Sequence, residues 1–356
     1  MPDRWAQTIV ESFSFDFEST SVMRESHNLS LYRVSGQSDL YIIDSVEGRR
    51  LATDPSIVGE EFDSLNRSLS AKVWDLMKGM GVLNTNIIFE HVLRAAPGYR
   101  LRDVMKNDSG FEIKDFYIRP RYIRTSYRDH SENDLETVYM SDLKVDSGKR
   151  YTLVKPDTEA TGRSSILSID RILSLCKEKG ANIDRVVLYG FISEVGYRRI
   201  LEFCNQQKIS LTAIAVEDLT ALASNGYDMP VYGIDDELKM RTGDHVKLVS
   251  VIPERVFKLM LPTYFPGMDQ PGDWSERQLV LYNGTTFERG DVLHHLSKSL
   301  ARLQELRSIY AGESWYLPEI DDLYWSKRDS LIDKIAEVNA GIDAGRITQP
   351  DFNISK

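Results

Sequence analysis

Four largely apolar runs alternate with stretches of helical periodicity through the middle of the chain. The runs cover residues 86–93, 151–154, 185–191 and 210–216, and apolar residues at helical spacing follow two of them, at 166–176 and 197–206. A strand that is apolar at successive positions is buried on both faces, as in a parallel sheet covered by helices. The sequence therefore predicts an α/β fold, a parallel sheet flanked by helices, with its ligand site beyond the carboxyl ends of the strands.

The two ends of the chain carry weaker patterns. Residues 31–34 and 40–43 flank a turn-forming Ser35-Gly36-Gln37-Ser38, which indicates a hairpin. Helices are predicted at 60–80, 286–311 and 327–345 from apolar spacings of three and four. We therefore expect three regions: an N-terminal extension with a possible hairpin (1–60), a central α/β domain (61–285) and a C-terminal helical extension (286–356).

Composition excludes several classes of protein. Of 356 residues, 42% are hydrophobic and 28% are charged, which is typical of a soluble globular protein. The net charge of −10 argues against broad nucleic-acid binding. No stretch predicts a membrane span or a signal peptide, and the two cysteines, Cys176 and Cys204, are expected to be buried free thiols. A cytoplasmic protein is the expectation.

The segment from Lys155 to Ser165 carries the clearest chemical signal. It follows a predicted strand and opens a predicted helix, and it contains Thr161-Gly162-Arg163-Ser164. Backbone N–H groups and hydroxyls at a helix N-terminus can hold a phosphate, and glycine permits the positive φ that such a loop needs. Asp157 can accept hydrogen bonds from a sugar diol. A plain β–α turn with a capping serine or threonine is the alternative interpretation.

Around this segment the sequence resembles the type I phosphoribosyltransferases, and most of all uracil phosphoribosyltransferase. Four blocks occur in the family's order over about residues 85–275. The four blocks are Val92-Leu93-Arg94-Ala95-Ala96, Ser126-Tyr127-Arg128-Asp129, Ala160-Thr161-Gly162-Arg163-Ser164 and Phe265-Pro266-Gly267-Met268-Asp269-Gln270-Pro271-Gly272-Asp273. The resemblance implies the type I phosphoribosyltransferase fold for 61–285, and it does not cover residues 1–60 or 290–356.

The resemblance also implies a reaction. A nucleobase, uracil first among the candidates, would be joined to phosphoribosyl pyrophosphate with release of pyrophosphate, as in nucleotide salvage, with Mg²⁺ as cofactor and a homodimer as the expected assembly. By the same resemblance Arg94 and Arg128 stabilise pyrophosphate and Asp157 holds the ribose hydroxyls. The residues implied to bind the 5′-phosphate are Ala160, Thr161, Gly162, Arg163 and Ser164. Those implied to border the base are Gly267, Met268, Asp269 and Gln270.

The chain departs from the family pattern at several of these positions. Ala96 replaces a glycine, Pro156-Asp157 stands where Asp-Pro is expected, and Glu159 adds a carboxylate beside the phosphate loop. Asp269 replaces a glycine in the base-binding stretch. Two alternatives therefore stay open: the same fold acting on another base, and a non-catalytic homologue that binds a nucleotide or phosphoribosyl pyrophosphate.

Two other clusters have several interpretations. Arg119, Arg121, Arg124 and Arg128 lie among tyrosines and are interpreted as a polyphosphate clamp, with a solvated strand face or a nucleic-acid patch as alternatives. His294-His295 has no cysteine or carboxylate at metal-binding spacing, so no protein-held metal site is predicted.

Overall fold

A mixed sheet forms the centre of the protein. The computed structural model describes residues 2–106, 108–123 and 135–343, and within them nine strands form one sheet. In chain order these strands are β1 (Thr20–Arg24), β2 (Ser30–Val34), β3 (Leu40–Asp44), β4 (Asn86–Val92), β5 (Glu112–Tyr122), β6 (Leu135–Met140), β7 (Arg150–Pro156), β8 (Asn182–Ser193) and β9 (Ser210–Thr220). The predicted α/β class, with a mostly parallel sheet between helices, is confirmed.

Short strands and helices complete the fold. Two small hairpins pair β10 (Tyr232–Ile234) with β11 (Lys247–Val249) and β12 (Val280–Tyr282) with β13 (Phe287–Arg289). The α-helices are α1 (Pro2–Phe13), α2 (Val46–Thr53), α3 (Gly59–Met80), α4 (Leu101–Met105), α5 (Arg163–Glu178), α6 (Glu194–Gln207), α7 (Asp236–Thr242), α8 (Glu254–Met260), α9 (Val292–Tyr310) and α10 (Pro318–Asp343). None of the described helices is long and apolar enough to cross a membrane.

The strand order places a crevice in the middle of the sheet. Across the sheet the order is β1-β2-β3-β9-β8-β7-β4-β5-β6. The six strands from β3 to β5 run parallel, whereas β2 is antiparallel to both its neighbours and β6 is antiparallel to β5. From β4 the chain first builds outward through β5 and then returns to place β7 on the other side. A sheet of this kind opens a ligand crevice at the carboxyl ends of the two strands where the order reverses, here β4 and β7.

Burial explains why the central strands are largely apolar. Residues 186–193 of β8 are all buried. Successive strand residues point to opposite faces, so unbroken burial requires that both faces be covered. Both cysteines lie in this interior as free thiols, as expected.

The N-terminal hairpin is part of the same sheet. β2 and β3 pair antiparallel, which confirms the predicted hairpin, and β3 then pairs in parallel with β9. Residues 20–44 therefore extend the central sheet at one end.

The C-terminal helices differ from their predicted limits. The helix expected at 286–311 begins only at Val292, because residues 287–289 form β13 and the Asp291 side chain caps the His294 N–H. The helix expected at 327–345 begins earlier, at Pro318. Proline and acidic residues such as Glu319 and Asp321 are favourable in the first turn of a helix. The predicted limit was based on apolar spacing alone and did not use these residues.

Candidate active site

A cavity of about 280 Å³ lies at the carboxyl ends of β4 and β7, at the crevice that the strand order predicts. Its lining includes the segment 157–164, which follows β7, and Arg94, which follows β4. Tyr122 at the end of β5 also lines the cavity, as do residues 269 and 271–275. The structure therefore brings together three of the four sequence blocks.

The segment 157–162 is a loop that leads into the N-terminus of α5, as predicted. Gly162 precedes the helix with φ +73°, and a Cβ there would lie 2.8 Å from the Gly196 carbonyl oxygen. The Glu159 N–H donates to the Phe191 carbonyl at 2.8 Å, which ties the loop to β8. The first-turn N–H groups of a helix have no partner within the helix, so this end of α5 suits an anion.

Tyr122 reaches the hydroxyl groups of this loop. Its phenol oxygen lies 3.3 Å from Thr161 Oγ1 and 3.5 Å from Ser164 Oγ, and the Arg163 guanidinium lies 5.7 Å from its ring centroid. Sequence reasoning gave Tyr122 no role of its own in the site. The available signal was its position at the end of a strand, since strand ends of a parallel sheet meet at one edge.

A buried cluster of charges lies behind the loop. The Lys155 side chain is completely buried, and its Nζ lies 2.8 Å from Asp157 Oδ2, 3.5 Å from Glu90 Oε1 and 3.7 Å from Glu159 Oε1. A lysine beside such a loop could touch a phosphate or be solvated, but the complete burial of Lys155 contradicts both interpretations. A buried cation needs carboxylate partners; the chain after Lys155 supplies Asp157 and Glu159, and the neighbouring strand β4 supplies Glu90.

The cluster also explains the carboxylate of Glu159 beside an anion site. Glu159 is only 3% exposed, and its carboxylate accepts a hydrogen bond from Ser165 Oγ and faces Lys155. Its charge is therefore compensated inside the protein. Burial raises the pKa of Glu159 to about 7, against the lowering effect of Lys155.

The raised pKa of Glu159 predicts a specific pH dependence of stability. Between the unfolded value near 4.5 and the folded value near 7, the folded protein binds more protons, so its stability decreases as pH rises. Glu159→Gln removes this contribution, and we expect the variant to gain stability relative to wild type from pH 5 to pH 8. Denaturant unfolding at four pH values measures it. Asp218, whose pKa burial also raises to about 7, acts equally in both proteins. Parallel stability curves would contradict the assignment.

Asp157 is held in place from two sides. Its Oδ1 accepts from the Thr158 N–H at 2.9 Å, and its Oδ2 accepts from Lys155. The residue is 6% exposed and lines the cavity. The carboxylate is thus positioned at the strand end, where a ligand hydroxyl can reach its remaining lone pairs.

Arg94 lines the cavity but already has an acidic partner. Its NH1 lies 2.7 Å from Glu288 Oε2 on β13, and the Leu93–Arg94 peptide bond is cis. The next carbonyl oxygen, that of Ala95, accepts from Gln278 Nε2 at 3.1 Å. Residues that follow the fourth sequence block therefore contact the loop that follows β4.

Only part of the predicted base-binding stretch faces this cavity. Asp269 lines it, and Asp269 Oδ1 accepts from the Met229 N–H at 2.9 Å. Gly267 instead packs on α9, where a Cβ would lie 2.4 Å from the Tyr310 hydroxyl. Gln270 is buried and donates to Asp218 at 2.9 Å. Met268, Asp269 and Gln270 border a second cavity of about 410 Å³ against α9.

The arginine cluster is only partly within the described residues. Arg124 and Arg128 lie outside them. Arg121 is exposed and pairs with Glu136 at 2.8 Å, as on a solvated strand face. The pairing of β5 with β6 shifts between Arg119 and Pro120, where Val138 of β6 has no partner on β5.

His294 and His295 both contact other residues of the protein. His294 Nδ1 lies 2.9 Å from Glu276, and the buried His295 Nε2 lies 3.0 Å from the Pro55 carbonyl. Burial lowers the pKa of His295 to about 3, so it is neutral. No group of three or more His, Cys, Asp or Glu suited to a metal occurs in the part of the chain that the structure describes.

Comparisons with known proteins give structural matches only. No protein-family model matches the sequence, and no curated protein does. Solved structures to which the chain is similar include an adenine phosphoribosyltransferase from Trypanosoma brucei in complex with AMP, pyrophosphate and ribose-5-phosphate (15% identity, 53% of this chain and 87% of that chain, TM-score 0.35). Others are an orotate phosphoribosyltransferase from Mycobacterium tuberculosis with phosphoribosyl diphosphate (16%, 49% and 95%, TM-score 0.28) and a hypoxanthine phosphoribosyltransferase from Staphylococcus aureus (10%, 46% and 79%, TM-score 0.26).

Proposed function

We propose that the protein is a phosphoribosyltransferase that binds phosphoribosyl pyrophosphate in the cavity at the carboxyl ends of β4 and β7. The observation that carries the proposal is the loop 157–162 with Gly162 at the N-terminus of α5, which lines the same cavity as Arg94. A helix N-terminus, which favours anions, and an arginine in one cavity suit a substrate with a phosphate at one end and a diphosphate at the other.

Each wall of the cavity has a separate task in this reaction. The loop residues 160–164 anchor the 5′-phosphate, Asp157 orients the ribose hydroxyls, and Arg94 neutralises the diphosphate. A bond forms between a base nitrogen and C1, the bond from C1 to the pyrophosphate oxygen breaks, and the base releases its proton to solvent. Holding both reactants in line and compensating the charge of the leaving group lower the barrier, so no covalent nucleophile is required.

Magnesium fits this site as an ion that arrives with the substrate. Mg²⁺ commonly binds through one or two carboxylates together with substrate phosphates and water. Asp157 offers such a carboxylate at the cavity wall, although Lys155 and the Thr158 N–H already use part of its capacity. The ion would supply positive charge to the diphosphate.

Uracil is the base we propose first, on the resemblance of the sequence blocks. Asp269 is the main objection to uracil, because a carboxylate facing the base would repel the uracil carbonyl oxygens. In the structure Asp269 Oδ1 accepts the Met229 N–H, which compensates part of its charge. A base that presents more donors is the alternative within the same fold.

A second candidate function is binding without turnover. It is favoured by one specific observation: Asp157 and Arg94, the groups expected to engage the substrate, are both paired with residues of the protein, Lys155 and Glu288. A binding protein of this kind would hold phosphoribosyl pyrophosphate or a nucleotide as a regulator.

Asp157→Asn tests the assignment of the ribose side of the cavity. A hydrogen bond to a charged group contributes about 1.5–3 kcal/mol, so we expect phosphoribosyl pyrophosphate to bind roughly 10- to 150-fold more weakly. Sulfate, which has no hydroxyl for Asp157, keeps its affinity for the loop. Calorimetric titration of both ligands measures the difference. Asp184→Asn, near the amino end of β8, is the control. An equal loss for both ligands would show that Asp157 only supports the loop.

A further inference from the structure

Arg94 is paired with a carboxylate that belongs to none of the four sequence blocks. Glu288 lies on β13 of the hairpin formed by residues 280–289, and its Oε2 is 2.7 Å from Arg94 NH1. Its other oxygen, Oε1, accepts from Asn283 Nδ2 of the same hairpin. Hydrogen bonds from Asn283 and Arg94, with the nearby charge of Arg119, lower the pKa of Glu288, so this group is an anion at neutral pH.

The hairpin is fixed firmly near its base and weakly at the Glu288 strand. At the base, Gln278 is buried and bonds the Ala95 carbonyl, and Leu281 is buried. The paired strands are only three residues each, and Phe287, beside Glu288, is 41% exposed. A two-stranded hairpin this short has little stability of its own, and elements with few buried contacts open at low free-energy cost.

A diphosphate and the Glu288 carboxylate cannot both lie close to Arg94 without strong repulsion. The pair is about one-third exposed on both sides (36% for Arg94 and 34% for Glu288), and ion pairs at such exposure are weak. A ligand with several negative charges can therefore displace a single carboxylate, whereas in the free protein Glu288 keeps the guanidinium compensated.

We infer that Glu288 is a built-in competitor for the anion subsite at Arg94, and that pyrophosphate enters this subsite by displacing Glu288 and opening the 280–289 hairpin. Glu288 thereby sets the affinity for the diphosphate group. The inference rests on the role that the proposed function gives to Arg94, and it adds a residue and a segment that belong to none of the four sequence blocks.

Titration of inorganic pyrophosphate into four proteins tests the competition. These are wild type, Glu288→Gln, Arg94→Gln and the double variant. Glutamine is isosteric and still accepts from Asn283, so the hairpin keeps its local hydrogen bond. Release of an ion pair of this kind predicts about two- to fivefold tighter binding for Glu288→Gln at low salt. The gain disappears in the Arg94→Gln background. Glu112→Gln, at the amino end of β5, is the matched control and leaves the affinity unchanged.

Amide hydrogen exchange provides a second readout that a purely structural role would not move. Pyrophosphate should accelerate exchange in residues 287–289 of the wild type. Slower exchange there, or unchanged or weaker pyrophosphate binding by Glu288→Gln, would overturn the inference, as would a gain that persists without Arg94. Absence of pyrophosphate binding by both wild type and Glu288→Gln overturns it as well. If phosphoribosyl pyrophosphate fails to bind or react while the Glu288 effect persists, the proposed function fails and this inference stands.

Discussion

Lys155→Met is expected to lower the free energy of unfolding by about 3–5 kcal/mol at pH 7.5, because it leaves buried carboxylates without their cation. The Lys155 side chain has no exposed surface, and its Nζ faces Asp157, Glu90 and Glu159. Burial already raises the pKa values of Glu90 and Glu159, and the loss of the opposing Lys155 charge raises them further. The variant then regains stability as pH falls, since protonation removes the uncompensated charge.

Denaturant unfolding of wild type and variant at pH 7.5 and 5.5 measures both effects. Lys149→Met is the matched control, because Lys149 also contacts two carboxylates, Glu112 and Asp146, but is 38% exposed. Its loss should be much smaller and almost independent of pH. A Lys155→Met loss that equals the control, or one that grows toward pH 5.5, would contradict the buried cluster.

Gly162→Ala is expected to abolish most phosphate binding while costing the fold less than Lys155→Met. A side chain at φ +73° costs about 1–2 kcal/mol, and the added Cβ would meet the Gly196 carbonyl oxygen at 2.8 Å. The loop must move away from α6, so its N–H groups no longer converge on one anion. A displacement of about 1 Å can cost roughly 100-fold where geometry is critical, and we expect ribose 5-phosphate to bind at least tenfold more weakly.

Gly36→Ala is the control that separates the backbone strain of a positive φ from the steric contact of the added Cβ. Gly36 has a nearly identical φ of +71°, but no atom lies within 4 Å of the position of its Cβ. Gly36→Ala should therefore lose stability through φ alone and keep full affinity for ribose 5-phosphate. Calorimetry on both variants makes the comparison. Equal ligand affinities in the two variants would show that the loop does not depend on Gly162.

The sequence was sufficient for six of the nine strands of the described sheet, β2, β3, β4, β7, β8 and β9, and for the position of the loop, because both depend on local signals. Unbroken apolar runs predict β7, β8 and β9, and a glycine between hydroxyl residues predicts the entry to α5. The pairing of β3 with β9 was not predictable in this way. It joins residues separated by about 170 positions, and no local pattern records such a partner.

Contacts between distant segments also limited the prediction of the site. Lys155 looks solvated in sequence because Glu90, one of its three partners, comes from another strand. Arg94 and Glu288, which form an ion pair, are 194 positions apart in the sequence. The sequence shows that Asp269 stands where the family pattern has glycine. The hydrogen bond that the Asp269 carboxylate accepts from the Met229 N–H depends on a turn whose position only the structure gives.

Release of pyrophosphate from phosphoribosyl pyrophosphate is the most direct test of the proposed transfer reaction. The purified protein is incubated with phosphoribosyl pyrophosphate and Mg²⁺, together with uracil or with each of a panel of donor-rich bases, and pyrophosphate and nucleotide are quantified. We predict that the two products form in equal amounts with one of these bases, uracil first among them, and that Gly162→Ala lowers the rate of formation of both at least tenfold at subsaturating phosphoribosyl pyrophosphate. Tight binding of phosphoribosyl pyrophosphate with no product from any base would contradict the transferase and favour the binding protein.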